Sequence, residues 1–213
     1  MLASRRALLV SFASLAALVA CGRKRKLSAV PAGATVLALG DSITFGTGTT
    51  PESSYPSVLA RLTGWNVVNA GVPGDTSADA LARLPGLLQE HSPQLVLVSI
   101  GGNDLLRRLP VAETRANIRA ICQQAAAAGA QVVLIAIPEA SAVAAAMRSL
   151  GDHALYGEIA TEMKLPLHSS GWSRVLGDPA MRSDPIHANA QGYEAFARGL
   201  AERLRELGLA AAR

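Results

Sequence analysis

The sequence predicts an α/β fold: a three-layer α/β/α sandwich around a central parallel sheet of about five strands. Short apolar runs rich in β-branched residues alternate with longer helical segments, which is typical of parallel strands joined by right-handed crossovers. The runs are apolar throughout, as expected when helices cover both faces of a sheet. Half of the 213 residues are apolar and 17% are charged, which suits a sizeable core and argues against disorder.

Five runs are predicted as strands because each is short, apolar and bounded by turn residues. The first four stop directly before a glycine or a proline, and the run from Leu95 to Ile100 is the strongest of them. In chain order the predicted strands cover residues 35–39, 66–70, 95–100, 131–137 and 165–168.

The segments between these runs are predicted as helices from their caps and composition. Asp75–Ser77 supplies N-cap chemistry for a helix that reaches Leu84 and continues or restarts toward His91. Gly129 stops a long helix, and an alanine-rich helical stretch has a break near Gly151. The predicted helices cover residues 55–63, 77–84 with the extension to 91, 111–128, 139–163 and 189–207.

The basic character of the chain is concentrated at its start. The formal net charge is +4, yet six of the 20 lysines and arginines fall within the first 26 residues, and no acidic residue precedes Asp41. The rest of the chain carries 14 basic and 16 acidic residues. Nucleic-acid binding needs a clustered basic face on the folded domain, so no nucleic-acid partner is expected.

The first 20 residues are predicted as a signal peptide for export. Arg5 and Arg6 precede the 14-residue apolar stretch Ala7–Ala20, which as a helix is too short to cross a bilayer core of about 30 Å. The stretch closes with Leu18–Cys21, which resembles the lipobox of bacterial lipoproteins, where the cysteine becomes the lipidated N-terminus. The alternatives are an ordinary signal peptide, or an uncleaved anchor, with an incidental cysteine. Ser4 and the two arginines also partly resemble a twin-arginine export signal.

Lipidation of Cys21 would hold the protein on a membrane of the cell envelope by its N-terminus. Gly22 follows the lipoprotein sorting pattern that favours the outer membrane. Residues 21–34 are basic and then rich in proline, glycine and alanine, so we predict a flexible tether there and a folded domain over 35–213. An acylated Cys21 excludes a disulfide with Cys122, which is predicted to be a core residue. The sequence has no metal-binding motif, and neither metal nor cofactor is expected.

Polar residues at three places in the chain supply the groups of a hydrolytic site. Ser42 follows the first predicted strand, Asn103 follows the third, and Asp184 precedes His187 by three positions. A serine hydroxyl needs a base, histidine is the natural base near neutral pH, and an acid beside it fixes its tautomer. An asparagine amide and glycine N–H groups are donors for a developing oxyanion. Ligands bind beyond the carboxyl ends of parallel strands, so we expect these groups to meet there.

Each of these residues also has an ordinary structural interpretation. Ser42 is suited to cap a helix, Asn103 and Asp184 are common turn residues, and His187 fits an exposed or capping position. None of the four is decisive alone. Their joint placement at one edge of the predicted sheet favours the catalytic interpretation.

Other titratable residues fit the pattern less well. Asp75 and Asp104 are rival acids for orienting a histidine, but neither has a histidine three residues away. His91 lies toward the opposite edge of the sheet, and His153 lies in the alanine-rich helical stretch. His168 follows the fifth predicted strand and stays a candidate pocket residue.

Four segments resemble the four sequence blocks of the SGNH (GDSL-type) hydrolases in order and spacing. They are Gly40–Thr44, Asn69–Ser77, Gly101–Asp104 and Asp184–His187. The stretch from Val67 to Asp104 is similar to the branch containing bacterial acyl-CoA thioesterase I, also called lysophospholipase L1, and related arylesterases. The resemblance spans about residues 35–207 and implies a flavodoxin-like sandwich.

The resemblance implies a role for each matching residue. Ser42 would be the nucleophile, His187 its base, and Asp184 the partner of that base. The backbone N–H groups of Ser42 and Gly74, together with the side chain of Asn103, would form the oxyanion hole. No cofactor is implied.

Two departures from the family pattern concern the loops around the site. Ala188 stands where many relatives have proline after the histidine, a change that touches no reacting atom. Glu139–Gly157 does not resemble the thioesterase I branch, although this region helps to shape the acyl pocket in the family. The resemblance therefore leaves the choice of substrate open.

We expect a serine esterase or thioesterase that hydrolyses aryl esters, short-to-medium acyl esters or lysophospholipids through an acyl-enzyme on Ser42. One alternative keeps this site but deacetylates O-acetylated carbohydrate or peptidoglycan. Another is a catalytically silent envelope lipoprotein. A nucleotide-binding domain is disfavoured, because Pro51 stands where the glycine-rich loop beginning at Gly46 needs glycine or alanine, and no Walker lysine occurs.

Overall fold

The computed structural model describes residues 27–139 and 150–211. Its strands form one parallel sheet in the order β2-β1-β3-β4-β5. The predicted α/β fold with a five-stranded parallel sheet is confirmed. The strands are β1 (Thr35–Gly40), β2 (Asn66–Gly71), β3 (Leu95–Ser99), β4 (Gln131–Ile135) and β5 (Leu167–His168).

Helices cover both faces of this sheet. Numbered along the described chain, they are α1 (Ser42–Phe45), α2 (Tyr55–Thr63), α3 (Ser77–His91), α4 (Gly102–Leu106), α5 (Val111–Ala127), α6 (Ala154–Met163), α7 (Gly171–Gly177) and α8 (Ala190–Glu206). Helix α5 packs against α3 and α6, whereas α8 packs against α2 and α7, and these two groups form the outer layers. Short 3₁₀ turns at Pro51–Ser53 and Pro179–Met181 complete the described elements.

The long helices and the strands follow the prediction closely, with differences at their ends. Helix α3 continues through Pro85 to His91 as one element, and it begins with a capping box between Thr76 and Asp79. Strand β4 ends two residues before the predicted Ile137. Of the predicted helix over 139–163, Ala154–Met163 is helical as α6, whereas Glu139 and residues 150–153 are not helical. Residues 140–149 lie outside the described part of the chain.

The predicted tether is wrong for residues 27–34. Val30 is buried and its N–H donates to the carbonyl of Leu209 at 2.8 Å, while Trp65 Nε1 donates to the carbonyl of Val30 at 3.0 Å. Ser28 pairs with the side-chain amide of Gln131 through two 2.8 Å hydrogen bonds. The predicted leader and Cys21 lie outside the described residues. Within the described ranges, no helix is long and apolar enough to cross a membrane.

The sheet topology places a ligand crevice beyond the ends of β1 and β3. The chain leaves β1 toward β2 on one side and later returns to β3 on the other, and ligands of open α/β sheets bind at such a switch point. Ser42 follows β1 and Asn103 follows β3. The segments after neighbouring strands approach closely, because a Cβ on Gly71 would lie only 2.7 Å from Phe45 Cα.

An aromatic cluster supports the nucleophile end of the sheet. Trp172 stacks on Phe196 with ring centroids 3.6 Å apart, and Tyr55 meets both rings edge-on. Tyr193 packs against Trp172 and donates a 2.7 Å hydrogen bond to the carbonyl of Thr47, just after α1. Helices α7 and α8 are thereby fixed to the turn that carries Ser42.

Candidate active site

Ser42 is the first residue of a four-residue helix at the end of β1. Asp41 caps this helix, because its Oδ1 accepts the N–H of Ile43 at 3.1 Å, and Gly46 ends it with a left-handed φ of 103°. Asp41 is only 3% exposed. Burial raises the pKa of Asp41 to about 7, and the carboxylates of Asp75 and Asp104 add to that rise. The sharp turn leaves the Ser42 side chain at the mouth of the crevice.

The structure brings the predicted nucleophile, base and acid together. His187 Nε2 lies 2.9 Å from Ser42 Oγ, and its Nδ1 lies 2.7 Å from Asp184 Oδ2. The loop that carries Asp184 and His187 is closed by an antiparallel bridge between Arg182 and Ala188. One continuous hydrogen-bonded line therefore runs from the hydroxyl through the imidazole to the carboxylate.

Asp184 is held by hydrogen bonds on both of its oxygens. Oδ1 accepts the backbone N–H groups of Ile186 at 2.9 Å and His187 at 2.8 Å, while Oδ2 faces the His187 ring. Burial alone raises the pKa of Asp184, but the hydrogen bonds outweigh it and the pKa is lowered overall. Asp184 is therefore ionised at neutral pH and keeps the proton of His187 on Nδ1.

Asn103 lines the same cavity as Ser42 and hydrogen-bonds the residue that follows Gly74. The Asn103 Nδ2 donates to the carbonyl of Asp75 at 2.9 Å, and Arg107 Nη2 donates to the carbonyl of Gly74 at 2.8 Å. Gly74 has a φ of 88°, which turns the backbone in a way that favours glycine. In the described part of the chain its N–H donates to no protein acceptor.

The two other acids considered for His187, Asp75 and Asp104, bind other groups. Asp104 is buried and accepts the N–H of Ser77 at 2.8 Å, whereas Asp75 pairs with Arg83 at 2.7 Å. His168 packs edge-on against an aromatic ring of α8, and its burial lowers its pKa to about 4, so it is neutral and structural. None of these side chains contacts the histidine beside Ser42.

A cavity of about 380 Å³ opens beside Ser42. Its polar lining includes Asn103 and Arg108, and its wall is mainly apolar. The apolar lining residues are Ile43, Leu105, Leu106, Ile137, Pro138, Leu150, Leu176, Pro185 and Ile186. A wider depression of about 1220 Å³ lies at the amino ends of β3 and β4, on the opposite edge from Ser42.

Exposed apolar side chains surround the same edge. Among the described residues, the exposed large hydrophobic side chains all follow β1, β2 or β3 or lie in the His187 loop. They are Phe45, Val72, Leu106, Leu109, Val111 and Ile186. An apolar rim of this kind marks a ligand-binding surface.

Comparison with known proteins agrees with this geometry. The sequence profile of the GDSL-like lipase/acylhydrolase family matches residues 38–195. The chain belongs to this family. Thioesterase 1/protease 1/lysophospholipase L1 of Escherichia coli (strain K12) is 35% identical to this family member over 178 residues, which are 81% of the chain and 84% of that relative.

Two further relatives point the same way. The arylesterase of Vibrio mimicus is 37% identical over 107 residues, which are 48% of this chain and 54% of that enzyme. The crystal structure of TesA superposes with a TM-score of 0.71 at 32% identity, covering 81% of this chain and 99% of that one. The chain is a carboxylic ester hydrolase of the serine type.

The side chains that hold this hydrolase's loops together were not predicted from the sequence. Arg83 contacts both Asp75 and the carbonyl of Gly40, and Asp104 joins α3 to α4 through Ser77. The opposite charges of Asp75 and Arg83 are eight positions apart with a helix start between them, and no helical spacing rule pairs such positions. The sequence offers Asp104 as a turn residue or as a rival acid for a histidine, and nothing in its spacing from Ser77 indicates their contact.

Proposed function

We propose that Ser42, His187 and Asp184 hydrolyse esters through an acyl-enzyme. The observation that carries this assignment is the continuous line of 2.9 Å and 2.7 Å contacts between the three side chains. Ser42 Oγ attacks the acyl carbon while its proton passes to His187 Nε2. Asp184 stabilises the imidazolium that forms. The alcohol or thiol leaves with the proton from Nε2, and a water activated by the same nitrogen then releases the acid.

The negative charge on the tetrahedral intermediate is stabilised by three donors in this proposal. They are the N–H of Ser42, the N–H of Gly74 and the side-chain amide of Asn103. Ser42 lies in the first turn of α1, where amides have no intrahelical carbonyl to donate to. Asn103 donates one amide hydrogen to Asp75, which leaves the second hydrogen for substrate. One such donor contributes about 10²–10³ in rate.

Aryl esters and esters with short-to-medium acyl chains are the substrate class that the surroundings of Ser42 favour. The cavity of about 380 Å³ is mainly apolar, and the exposed apolar rim continues it outward. The names of the relatives extend this class to lysophospholipids and acyl thioesters. The apolar lining disfavours O-acetylated glycan, which offers mostly hydroxyl groups.

The test is an ester panel on the wild type and the Ser42→Ala variant. The panel contains p-nitrophenyl acetate, butyrate and octanoate, a lysophospholipid, an acyl thioester and an acetylated glycan. We expect the wild type to prefer butyrate and octanoate, and we expect hydrolysis to fall at least a thousandfold in the variant. Retained turnover in a folded variant would refute the nucleophile, and preference for the glycan would refute the substrate class.

We further propose that the enzyme is an exported lipoprotein tethered to the cell envelope through Cys21. The support is the sequence alone: two arginines, a 14-residue apolar stretch and the Leu18–Cys21 segment. Metabolic labelling with a fatty-acid analogue is expected to label the wild type and not Cys21→Ser. Labelling of both proteins, or of neither, contradicts the tether.

A further inference from the structure

The two backbone donors proposed for the oxyanion come from different strands. Ser42 follows β1, whereas Gly74 lies on the loop after β2 (residues 72–76, the oxyanion loop). The last backbone hydrogen bond between these segments runs from Val72 N–H to the carbonyl of Gly40 at 3.1 Å. Beyond it the sheet no longer sets their separation, so other contacts must hold the donors in register.

Arg83 makes those contacts from helix α3. Its Nε donates to Asp75 Oδ2 at 2.7 Å, and its Nη2 donates to the carbonyl of Gly40 at 2.9 Å. Asp75 belongs to the oxyanion loop, and Gly40 is two residues before Ser42. Arg83 thus bridges the two segments that carry the backbone donors.

The side chains that hydrogen-bond the carbonyls of Gly74 and Asp75 come from the β3 side of the site. Asn103 holds the carbonyl of Asp75, and Arg107 holds the carbonyl of Gly74, and both come from the segment after β3. In the described ranges, Arg83 is the side chain that hydrogen-bonds the loop and the strand leading to Ser42 together. The other links between these two sides are the bond from Val72 N–H to the carbonyl of Gly40 and a bond of 3.1 Å from Asn69 Nδ2 to the carbonyl of Phe45, and both end before Gly74 along the chain.

Burial and shape suit the guanidinium to this task. The side chains of Arg83 and Asp75 are 24% and 13% exposed, so solvent screens their attraction only partly. The planar guanidinium presents donors at a fixed separation, whereas an ammonium is a point charge on a flexible stem. The pair between Arg198 and Glu194 on α8 is exposed on both sides at 57% and 52%, and it serves as a matched comparison.

We propose that Arg83 is a positioning residue that sets the distance between the Ser42 turn and the oxyanion loop. This inference rests on the proposed function, because it assigns Arg83 to the alignment of that oxyanion hole. Arg83 itself touches no substrate. Its loss lets the Gly74 N–H drift from the Ser42 N–H, and displacements near 1 Å cost about a hundredfold in rate.

The experiment compares Arg83→Met, Arg83→Lys and the control Arg198→Met with p-nitrophenyl butyrate. Turnover is expressed per active site, counted by exhaustive labelling with a fluorophosphonate probe, so that unfolded protein does not enter the rate. We expect kcat to fall about ten- to a hundredfold in Arg83→Met and at least about fivefold in Arg83→Lys, with KM within about twofold. Arg198→Met keeps the wild-type kcat.

A second measurement separates alignment from stability. An alkyl boronic acid forms a tetrahedral adduct on a serine nucleophile, and its Ki is expected to rise in proportion to the loss of kcat/KM. A purely structural role would lower the melting temperature and the active fraction while leaving kcat per active site unchanged. That result, in either folded Arg83 variant, overturns the proposal. If Arg83→Met does not fold, wild-type kcat in Arg83→Lys is the overturning result. Failure of the proposed function is recognised separately, as turnover retained by Ser42→Ala.

Discussion

Replacing Asp184 by asparagine tests how the carboxylate acts on His187. Asp184 Oδ1 accepts two backbone N–H groups, from Ile186 at 2.9 Å and His187 at 2.8 Å. An asparagine must keep its carbonyl oxygen in that position, because an NH₂ group there would face two donors. Its NH₂ group is then forced to face His187 Nδ1 at the place where Oδ2 now lies, at 2.7 Å.

This orientation selects the wrong tautomer of the imidazole. With a donor opposite Nδ1, that nitrogen becomes the acceptor and the proton moves to Nε2, which faces Ser42 Oγ at 2.9 Å. A protonated Nε2 cannot accept the serine proton. The geometry of the loop stays the same, so the expected loss is chemical: about 10⁴ in kcat for the same exchange in a serine triad, with KM little changed.

The assay is p-nitrophenyl butyrate hydrolysis at pH 8 with active sites counted. The matched control is Asp178→Asn, because the Asp178 side chain accepts the N–H of Ala180 at 3.0 Å and an asparagine keeps that bond. We expect the control to retain wild-type activity. A folded Asp184→Asn enzyme with more than a tenth of wild-type kcat would refute the assigned role of Asp184.

Three further predictions address stability, substrate and backbone. In Asp41→Asn the side-chain oxygen still caps helix α1, but the titratable carboxyl group is removed. The pKa of the buried acid is raised from 3.8 to about 7, so its contribution is present below pH 4 and lost as the pH rises through about 7. The free energy of unfolding of the wild type, measured in urea and compared with that of Asp41→Asn, should therefore fall by up to about 4 kcal/mol across this pH range. Equal pH dependence of the two free energies would contradict this prediction. In Leu106→Ser, kcat/KM should fall about fivefold for octanoate and stay constant for acetate, since half-exposed Leu106 lines the cavity; equal losses would count against this. In Gly48→Ala, the new Cβ would lie 2.6 Å from the carbonyl oxygen of Ala188 on a backbone with a φ of 94°. We expect the protein to lose about 2–3 kcal/mol of stability and kcat to fall. An unchanged melting temperature and kcat would disprove the constraint.

The strands and long helices were predictable because burial marks the sequence with apolar runs. Val36–Leu39 and Leu95–Val98 are fully buried on both faces, and such runs read as strands without any structural information. Helices α1, α4 and α7 were not predicted, since four to seven residues carry no apolar period. Their ends depend on tertiary context, as at Gly101 with its φ of 112°.

The tether was mispredicted because the composition of a segment does not show which of its few apolar residues are buried. Residues 27–34 are rich in small residues and proline, which reads as a flexible segment. Val30 and Ala34 are buried, and Leu27 packs against the core. The hydrogen-bond partners of Val30 in Trp65 and Leu209 lie far along the chain. A few scattered apolar residues in a stretch rich in small residues give no periodic signal.

The residues of the candidate site were predictable, whereas their support was not. Ser42, Asn103 and His187 carry chemistry that stands out at the ends of strands, and the topology brings strand ends together. Arg83 donates to the carbonyl of Gly40, which lies 43 positions earlier in the chain. Nothing in the sequence distinguishes this arginine from any other arginine on the exposed side of an amphipathic helix. Side-chain to backbone contacts of this length emerge only when the sheet is assembled.

The measurement that tests the central claim most directly is the location of the covalent adduct. The wild-type enzyme is treated with a fluorophosphonate probe, digested, and mapped by peptide mass spectrometry beside His187→Ala. We expect one adduct, on Ser42, formed at least a hundredfold more slowly when the imidazole is removed. An adduct on another residue, or equal labelling of Ser42 in both proteins, would contradict the account.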